Sequence, residues 1–232
     1  MISNEKAYSL AQKERYDFAD LVQIMEILRG EGGCPWDAEQ THESIRKNFI
    51  EETYEVVEAI DAKDTKLLRE ELGDVMLQVV FHAQMEKEKG TFDINDVAND
   101  ICAKLIHRHP HVFGDGDADT SEKVLKAWES IKNQEKSRVT LYEKLNSIPP
   151  MTPALMRAQK VSEKSGRYKE SIDLSDIAQS IAEQASLLKD GVSEENIGNL
   201  LFLITALCGK AGLDAEKILF DQTNSFIEEY KN

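Results

Sequence analysis

Residues 49–81 read FIEETYEVVEAIDAKDTKLLREELGDVMLQVVF. The stretch is crowded with acids: Glu51, Glu52, Glu55 and Glu58 in its first half, then Glu70, Glu71 and Asp74 in its second. Its apolar residues recur three and four apart, which is the spacing of a helix and not the alternation of a strand. The spacing predicts two helices, near 42–62 and 64–89. The functional question is which acids face water and which face inward. An α-helix turns roughly 100° per residue. In the first helix Ile45, Phe49, Val56 and Ile60 form one apolar stripe, and Glu52 falls at its edge, within about 40° of Ile45 and Val56. Glu55 lies one turn on, on the adjoining flank, with Glu51 and Glu58 further round.

The second helix is more informative. Glu71 is bracketed by Leu67, Leu68 and Val75, and Asp74, Gln78 and His82 continue its face in steps of three and four. The other faces carry Leu72, Met76, Leu77, Val79, Val80 and Phe81. A helix that is apolar nearly all round belongs in a core or an oligomer interface. A carboxylate there is costly unless it is paired or bound to a metal. Gly73 costs about 1 kcal/mol against alanine in a helix, and close approach of a backbone or ligand would account for it. Glu-rich helices are usually solvated faces, and either acid motif alone reads best that way. The inward file points elsewhere. Two antiparallel helices joined by a short turn bring positions 52, 55, 71 and 74 together, and clustered carboxylates suit a hard cation such as Mg²⁺ or Mn²⁺. Glu58 and Glu70 read as ordinary solvated charges.

The same helical period runs along the rest of the chain, near 17–30, 93–108, 120–136, 153–165, 173–189, 193–211 and 213–231. Gly30, Gly32, Gly33 and Pro35 break the chain after the first of these, Gly90 ends the helix bearing Glu71, Asp93 can cap the next, and Pro110 and Gly114 stop it. The fold class is therefore all-α. The polar stretch NQEKSRVTLYEKLNSIPPMTP carries Pro149, Pro150 and Pro153, and it divides the chain into 1–140, a linker at 141–152, and 153–232. Residues 71–84, ELGDVMLQVVFHAQ, can be laid on 196–209, NIGNLLFLITALCG. Each copy then runs to a glycine (Gly90, Gly212), an apolar-Asp pair and another helix, as a duplicated helical unit would.

Composition narrows the partners. Lys and Arg number 28 against 43 Asp and Glu among 232 residues, a net charge of −15. Such a surface repels nucleic-acid polymers and anionic membranes, while a small polyanion can bind if a divalent cation screens the site. Cys34, Cys102 and Cys208 are odd in number and far apart, which suits a reduced, cytoplasmic protein. The start, MISNEKAYSLAQKERYDF, has no apolar core of a signal peptide, and no apolar run approaches the length of a membrane span.

EETYE followed by ELGD resembles the EExxE…ExxD signature of the all-α nucleoside triphosphate pyrophosphohydrolases. GGCPWDAEQTH at 32–42, FDINDV at 92–97 and KLIHRHPHVFG at 104–114 are similar to the MazG branch of that superfamily. The resemblance covers most of 17–136 and continues more weakly beyond. It implies paired helical hairpins or a four-helix bundle, here as two tandem copies with the second degenerate, and a homodimer whose subunits shape the site together. It implies Mg²⁺-dependent cleavage of nucleoside triphosphates between the α and β phosphates, with Mn²⁺ as a possible substitute. By motif position Glu52, Glu55, Glu71 and Asp74 are the metal ligands, and Glu51 is the base that orients water or a residue of the outer shell. Lys104 and Arg108, one turn apart, contact phosphates, Trp128 contacts the base, and Lys47 and Asn48 face the nucleotide. Without the resemblance, Lys104 and Arg108 read as a basic pair favoured near a helix C-terminus, and Trp128 as packing.

His107, His109 and His111 alternate around Pro110 and read as a helix stop, not a metal site. In the second copy Asn196 and Asn199 replace the acids of ExxD, only Glu183 stands where EExxE is expected, and Glu229 falls opposite Arg108. That half is expected to be catalytically silent. The alternative reading, of a different class, is a non-catalytic helical dimerisation or regulatory protein that kept the fold. A scaffold gives no reason for the first half to keep every acid while the second loses most.

Overall fold

The computed structural model describes residues 3–116, 118–135, 140–168, 172–189 and 191–231. The described residues form α-helices and one short 3₁₀ turn, joined by turns and loops. In chain order the helices are α1 (Ser3–Ala11), α2 (Phe18–Arg29), α3 (Pro35–Glu39), α4 (Arg46–Asp61), α5 (Thr65–Lys89), α6 (Ile94–Arg108), α7 (Pro110–Phe113), α8 (Ser121–Glu135), α9 (Leu141–Asn146), α10 (Ala154–Ser165), α11 (Leu174–Ser186), α12 (Glu194–Lys210) and α13 (Ala215–Glu228). No single helix is long and apolar enough to cross a membrane; α12 and α13 meet that test only together, across a bend of 108°. Cys34, Cys102 and Cys208 carry free thiols.

The chain divides into two compact units, 1–117 and 118–232. The division falls earlier than the proline-rich stretch suggests. That stretch holds α9, whose Thr140 and Glu143 form a capping box. α9 packs on α10, and Ile148 beyond it is buried. Pro153 supplies the N-cap of α10. The prolines thus shape a corner inside the second unit.

In the first unit α5 is the central helix, with α2, α4 and α6 against it. Met25 of α2, Ile45 at the start of α4, and Val80, Phe81 and Met85 of α5 form the buried core. Asp64 caps α5, its carboxylate accepting from the backbone N–H groups of Lys66 and Leu67. Gly90 ends α5 in the left-handed region at φ 73°, where a Cβ is disfavoured. The segment between α2 and α4 is pinned to the far half of α5. Arg29 forks onto Glu88 at 2.8 Å through two nitrogens, donates to the carbonyls of Asp37 and Gln40, and lies over Phe81. Gly33 lies against the last carbonyls of α2, and a Cβ there would come within 2.4 Å of Ile27 O and Leu28 O.

The second unit repeats part of this plan. α10 and α11 pack on α12, and α13 follows it. The helix ends correspond closely. Thr91 N–H donates to Glu86 O after α5, and Leu213 N–H donates to Cys208 O after α12, each across a left-handed glycine, Gly90 or Gly212. Asp93 and Asp214 then cap α6 and α13. Counted back from the two left-handed glycines, Asn196 falls opposite Asp74, and Ser193, the N-cap of α12, falls opposite Glu71. The ungapped sequence overlay is therefore displaced by one helical turn.

Met25 is 1% exposed at the centre of the first core. Met25→Ala is expected to cost about 2–5 kcal/mol through lost burial and the cavity left behind, measured by urea unfolding. An unchanged unfolding midpoint would show that this core does not hold the unit together.

Candidate metal centre

The seam between α4 and α5 is where most of the expected site residues meet. Its α4 side runs Ile45, Phe49, Glu52, Val56, Ala59, spaced four, three, four, three. Ile45 and Ala59 are buried, and Phe49, Glu52 and Val56 are half-buried. Ile60, expected in this stripe, points out at 55% exposure, while Ala59 is fully buried. Helix phase placed the stripe correctly, but the larger side chain drew the reading one residue off. The correction brings Glu52 from the edge of the seam into it. On α5 the matching file is Glu71, Asp74, Gln78, Phe81, Met85, in steps of three and four, and all but the half-buried Asp74 are buried.

Three carboxylates converge at this seam, with exposed Glu55 reaching it from its solvent flank. Glu52, Glu55 and Glu71 each offer an oxygen, and the three oxygens lie within 4.8 Å of one another. Asp74 stands beside them, close enough for its charge to act on both Glu52 and Glu71. Burial, and then the negative charges of Asp74, Glu55 and Glu51, push the Glu52 carboxyl above the usual carboxylate range. Burial also pushes Glu71 up, followed by the hydrogen bond and charge of Glu55 and the charges of Asp74 and Glu70. Each ionised carboxylate is an acceptor only. The set therefore needs protons or a cation, and its hard oxygen donors fit a divalent ion of the Mg²⁺ or Mn²⁺ type.

The other expected residues are distributed less tightly. Glu51 faces outward, half exposed, with its carboxylate 2.8 Å from Lys47 Nζ one turn earlier. Asn48 is half-buried and Glu58 and Glu70 are exposed. Lys104 is exposed, whereas Arg108 is buried at the last turn of α6, so the two do not share one environment. Trp128 belongs to the second unit, on α8, with Lys132 Nζ 4.7 Å from its ring centre. His109 closes α6, its Nδ1 2.6 Å from Leu105 O, in keeping with a helix stop. Gly73 has open space where a Cβ would stand, so no backbone of the described chain approaches it.

Sequence reasoning missed a second polar group on α5. His82 Nδ1 lies 2.6 Å from His42 Nδ1, and His42 Nε2 lies 2.6 Å from Glu86 Oε1. Lys89 and Thr91 donate to the same carboxylate. The polar file Asp74, Gln78, His82 contained the signal, since the next residue one turn on is Glu86; its partner His42 sits in the turn before α4, where no period marks it. Lys89, Thr91 and His42 hold Glu86 down to about 2. Burial and the neighbouring His42 hold His82 below its ordinary value.

The seam of the second unit has different chemistry. Gln184 of α11 donates to Asn196 Oδ1 at 3.3 Å across to α12. An amide pair carries its own donors and acceptors, so this crossing has no need of a cation. Glu183 is exposed beside it.

An acid-lined helical hairpin on a central helix defines the class of this unit. The MazG nucleotide pyrophosphohydrolase domain family matches residues 40–113, which span α4, α5 and α6. A Thermotoga maritima protein named nucleoside triphosphate pyrophosphohydrolase/pyrophosphatase MazG is 42% identical over 221 residues, covering 92% of this chain and 84% of that protein. The Escherichia coli K12 nucleoside triphosphate pyrophosphohydrolase is 40% identical over 228 residues, covering 91% of this chain and 84% of its own length. A Mycobacterium tuberculosis protein of the same name is 34% identical over 214 residues, covering 91% of this chain and 56% of that one. The chain belongs to the MazG family.

The His42–Glu86 group sets a pH dependence of stability. Glu86 is depressed in the folded state, so its contribution is present above the unfolded value near 4.5 and is lost as pH falls toward about 2. His82 is also depressed, so the folded state disfavours its proton, and stability falls as pH drops below the unfolded value of 6.5. Urea unfolding from pH 7 to pH 3 should show stability falling, and Glu86→Gln should flatten the acid limb. The same slope in Glu86→Gln and the parent protein would contradict this assignment.

Proposed function

We propose that the protein is a nucleoside triphosphate pyrophosphohydrolase, releasing a nucleoside monophosphate and pyrophosphate, with its active site in the first unit. The carrying observation is the convergence of half-buried Glu52, exposed Glu55 and buried Glu71 at the α4–α5 seam, with Asp74 beside them. The names of the MazG relatives support the same reaction. Glu52, Glu55, Glu71 and Asp74 hold Mg²⁺, or Mn²⁺ in its place. A bound ion would supply positive charge that admits a triphosphate to an acidic surface and would polarise phosphate and water. Glu51, on the outer flank and oriented by Lys47, accepts the water's proton. Lys104 and Arg108 take phosphate oxygens, Arg108 as a bidentate fork. Asn48, one turn before Glu52, lies toward the nucleotide.

The second unit is a degenerate copy of the first. Its matching helix caps support common descent, and its Gln184–Asn196 pair supports loss of the ion site. The protein acts in the cytoplasm, on free nucleotides and not on nucleic-acid polymers or membranes, as its net charge of −15 favours.

The protein works as a homodimer. Ile50, Tyr54 and Val57 form an exposed apolar stripe on α4, 46–56% exposed, and Leu72 and Met76 continue it on α5 beside the open space at Gly73. On α6, Ile101 and Leu105 are also about half exposed. A second copy would bury these faces, and Gly73 permits close approach there. Val57→Glu and Leu72→Glu together should convert the dimer to monomer in sedimentation. A parent protein that sediments as a monomer would overturn the dimer.

The reaction is tested with a panel of nucleoside triphosphates and Mg²⁺, separating pyrophosphate from orthophosphate. Pyrophosphate release is expected. Glu52→Gln or Glu71→Gln should lower kcat/KM by at least about 100-fold, the upper range for losing a mere supporting group of a metal site. Absence of pyrophosphate from every nucleotide would leave the non-catalytic scaffold as the better account.

A further inference from the structure

Gln78 is 7% exposed on α5, and its side-chain oxygen is buried without a hydrogen-bond partner among the described residues. Leaving a buried amide oxygen unpaired is destabilising, and leucine or methionine would fill the same seam position without that cost. Gln78 lies one turn beyond Asp74 and two beyond Glu71, on their face of the helix. Side chains of a helix lean back toward its N-terminus, so the amide of Gln78 leans toward the turn that carries Asp74. The carboxylates of Glu52, Glu55, Glu71 and Asp74 and the Gln78 side-chain oxygen are all acceptors, and the amide nitrogen of Gln78 is the one donor among these five side chains. None of these oxygens can satisfy another unless a proton or a donor comes between them.

The second unit supplies an internal comparison. There the acids are gone and the crossing is made by Gln184 and Asn196. Counted from the left-handed glycines Gly90 and Gly212, which share the same closing bond, the position of Gln78 is taken by Leu200, and in the ungapped overlay by Leu203. In both registers the amide disappears together with the acids, and an apolar side chain fills the seam. A core role for the amide alone would not couple the two losses.

We infer that Gln78 is a positioning residue of the metal centre, its side-chain oxygen accepting a hydrogen bond from a water of the divalent ion's shell. This rests on the metal reading proposed above. Mg²⁺ keeps several waters when carboxylates bind it, and each needs an acceptor once taken into a packed seam. A neutral oxygen orients such a water without adding a further negative charge to four carboxylates.

The test uses the full chain, stripped of metal, with Mn²⁺ binding followed by the electron paramagnetic resonance of the free ion and stability by urea unfolding. Gln78→Met should leave the metal-free protein at least as stable as the parent and weaken Mn²⁺ binding about tenfold, as expected for loss of an outer-shell partner. Gln78→Glu, which keeps an acceptor oxygen, should bind Mn²⁺ as tightly as the parent or more so. Parent-like affinity in Gln78→Met would overturn the role of Gln78 and leave the metal reading standing, as would weakened affinity in Gln78→Glu if the methionine variant did not fold. A parent protein that binds no Mn²⁺, or binds it unchanged in Glu71→Gln, would remove the metal reading and this inference with it.

Discussion

Carboxylates packed into a helical seam repel one another, and the first unit is organised around that constraint. Glu52 and Glu71 occupy seam positions that apolar residues hold elsewhere in the same two helices. Their carboxyls are pushed up by burial and by like charge, a strain that a bound divalent cation would relieve. The cost of such an arrangement is met by the rest of the unit. Met25, Val80, Phe81 and Met85 bury apolar surface along α5. The Arg29 and His42 contacts anchor the preceding segment to that helix. The acids therefore sit at one end of a helix whose other end is firmly packed.

The two units show what happens when the constraint is relaxed. Both place a hairpin beside a further helix and follow the hairpin's second helix with a left-handed glycine and an aspartate cap. Only the first keeps acids in the seam. In the second, Gln184 and Asn196 satisfy each other, and leucine replaces the buried amide. The second unit builds its helices without acids in the seam, on caps and apolar packing alone.

Much of this was legible in the sequence because it depends on helix phase. The hairpin at 49–81, the inward placement of Glu71 and the solvated character of Glu58 and Glu70 follow from residue spacing alone. The errors have physical causes. Ile60 was drawn into the stripe because it is more apolar than Ala59, although the small residue is the one that fits the close helix contact. α3 and α7 were read as breaks because proline heads them; at the first turn proline has no intrahelical hydrogen bond to lose. α9 was hidden in a polar stretch, although Thr140 and Glu143 spell its cap. His42 and Gln78 were missed for another reason: what matters about them is a partner, or the lack of one, across the seam. Spacing along one helix does not report that.

The account stands or falls on whether the seam holds a cation. Diffraction from Mn²⁺-soaked crystals of the full chain, recorded at the manganese edge, addresses this directly. An anomalous peak between α4 and α5, about 2.1–2.3 Å from carboxylate oxygens of Glu52, Glu55, Glu71 and Asp74, is the predicted result. Well-ordered acids hydrogen-bonded to one another, with no anomalous density between them at saturating Mn²⁺, would contradict it.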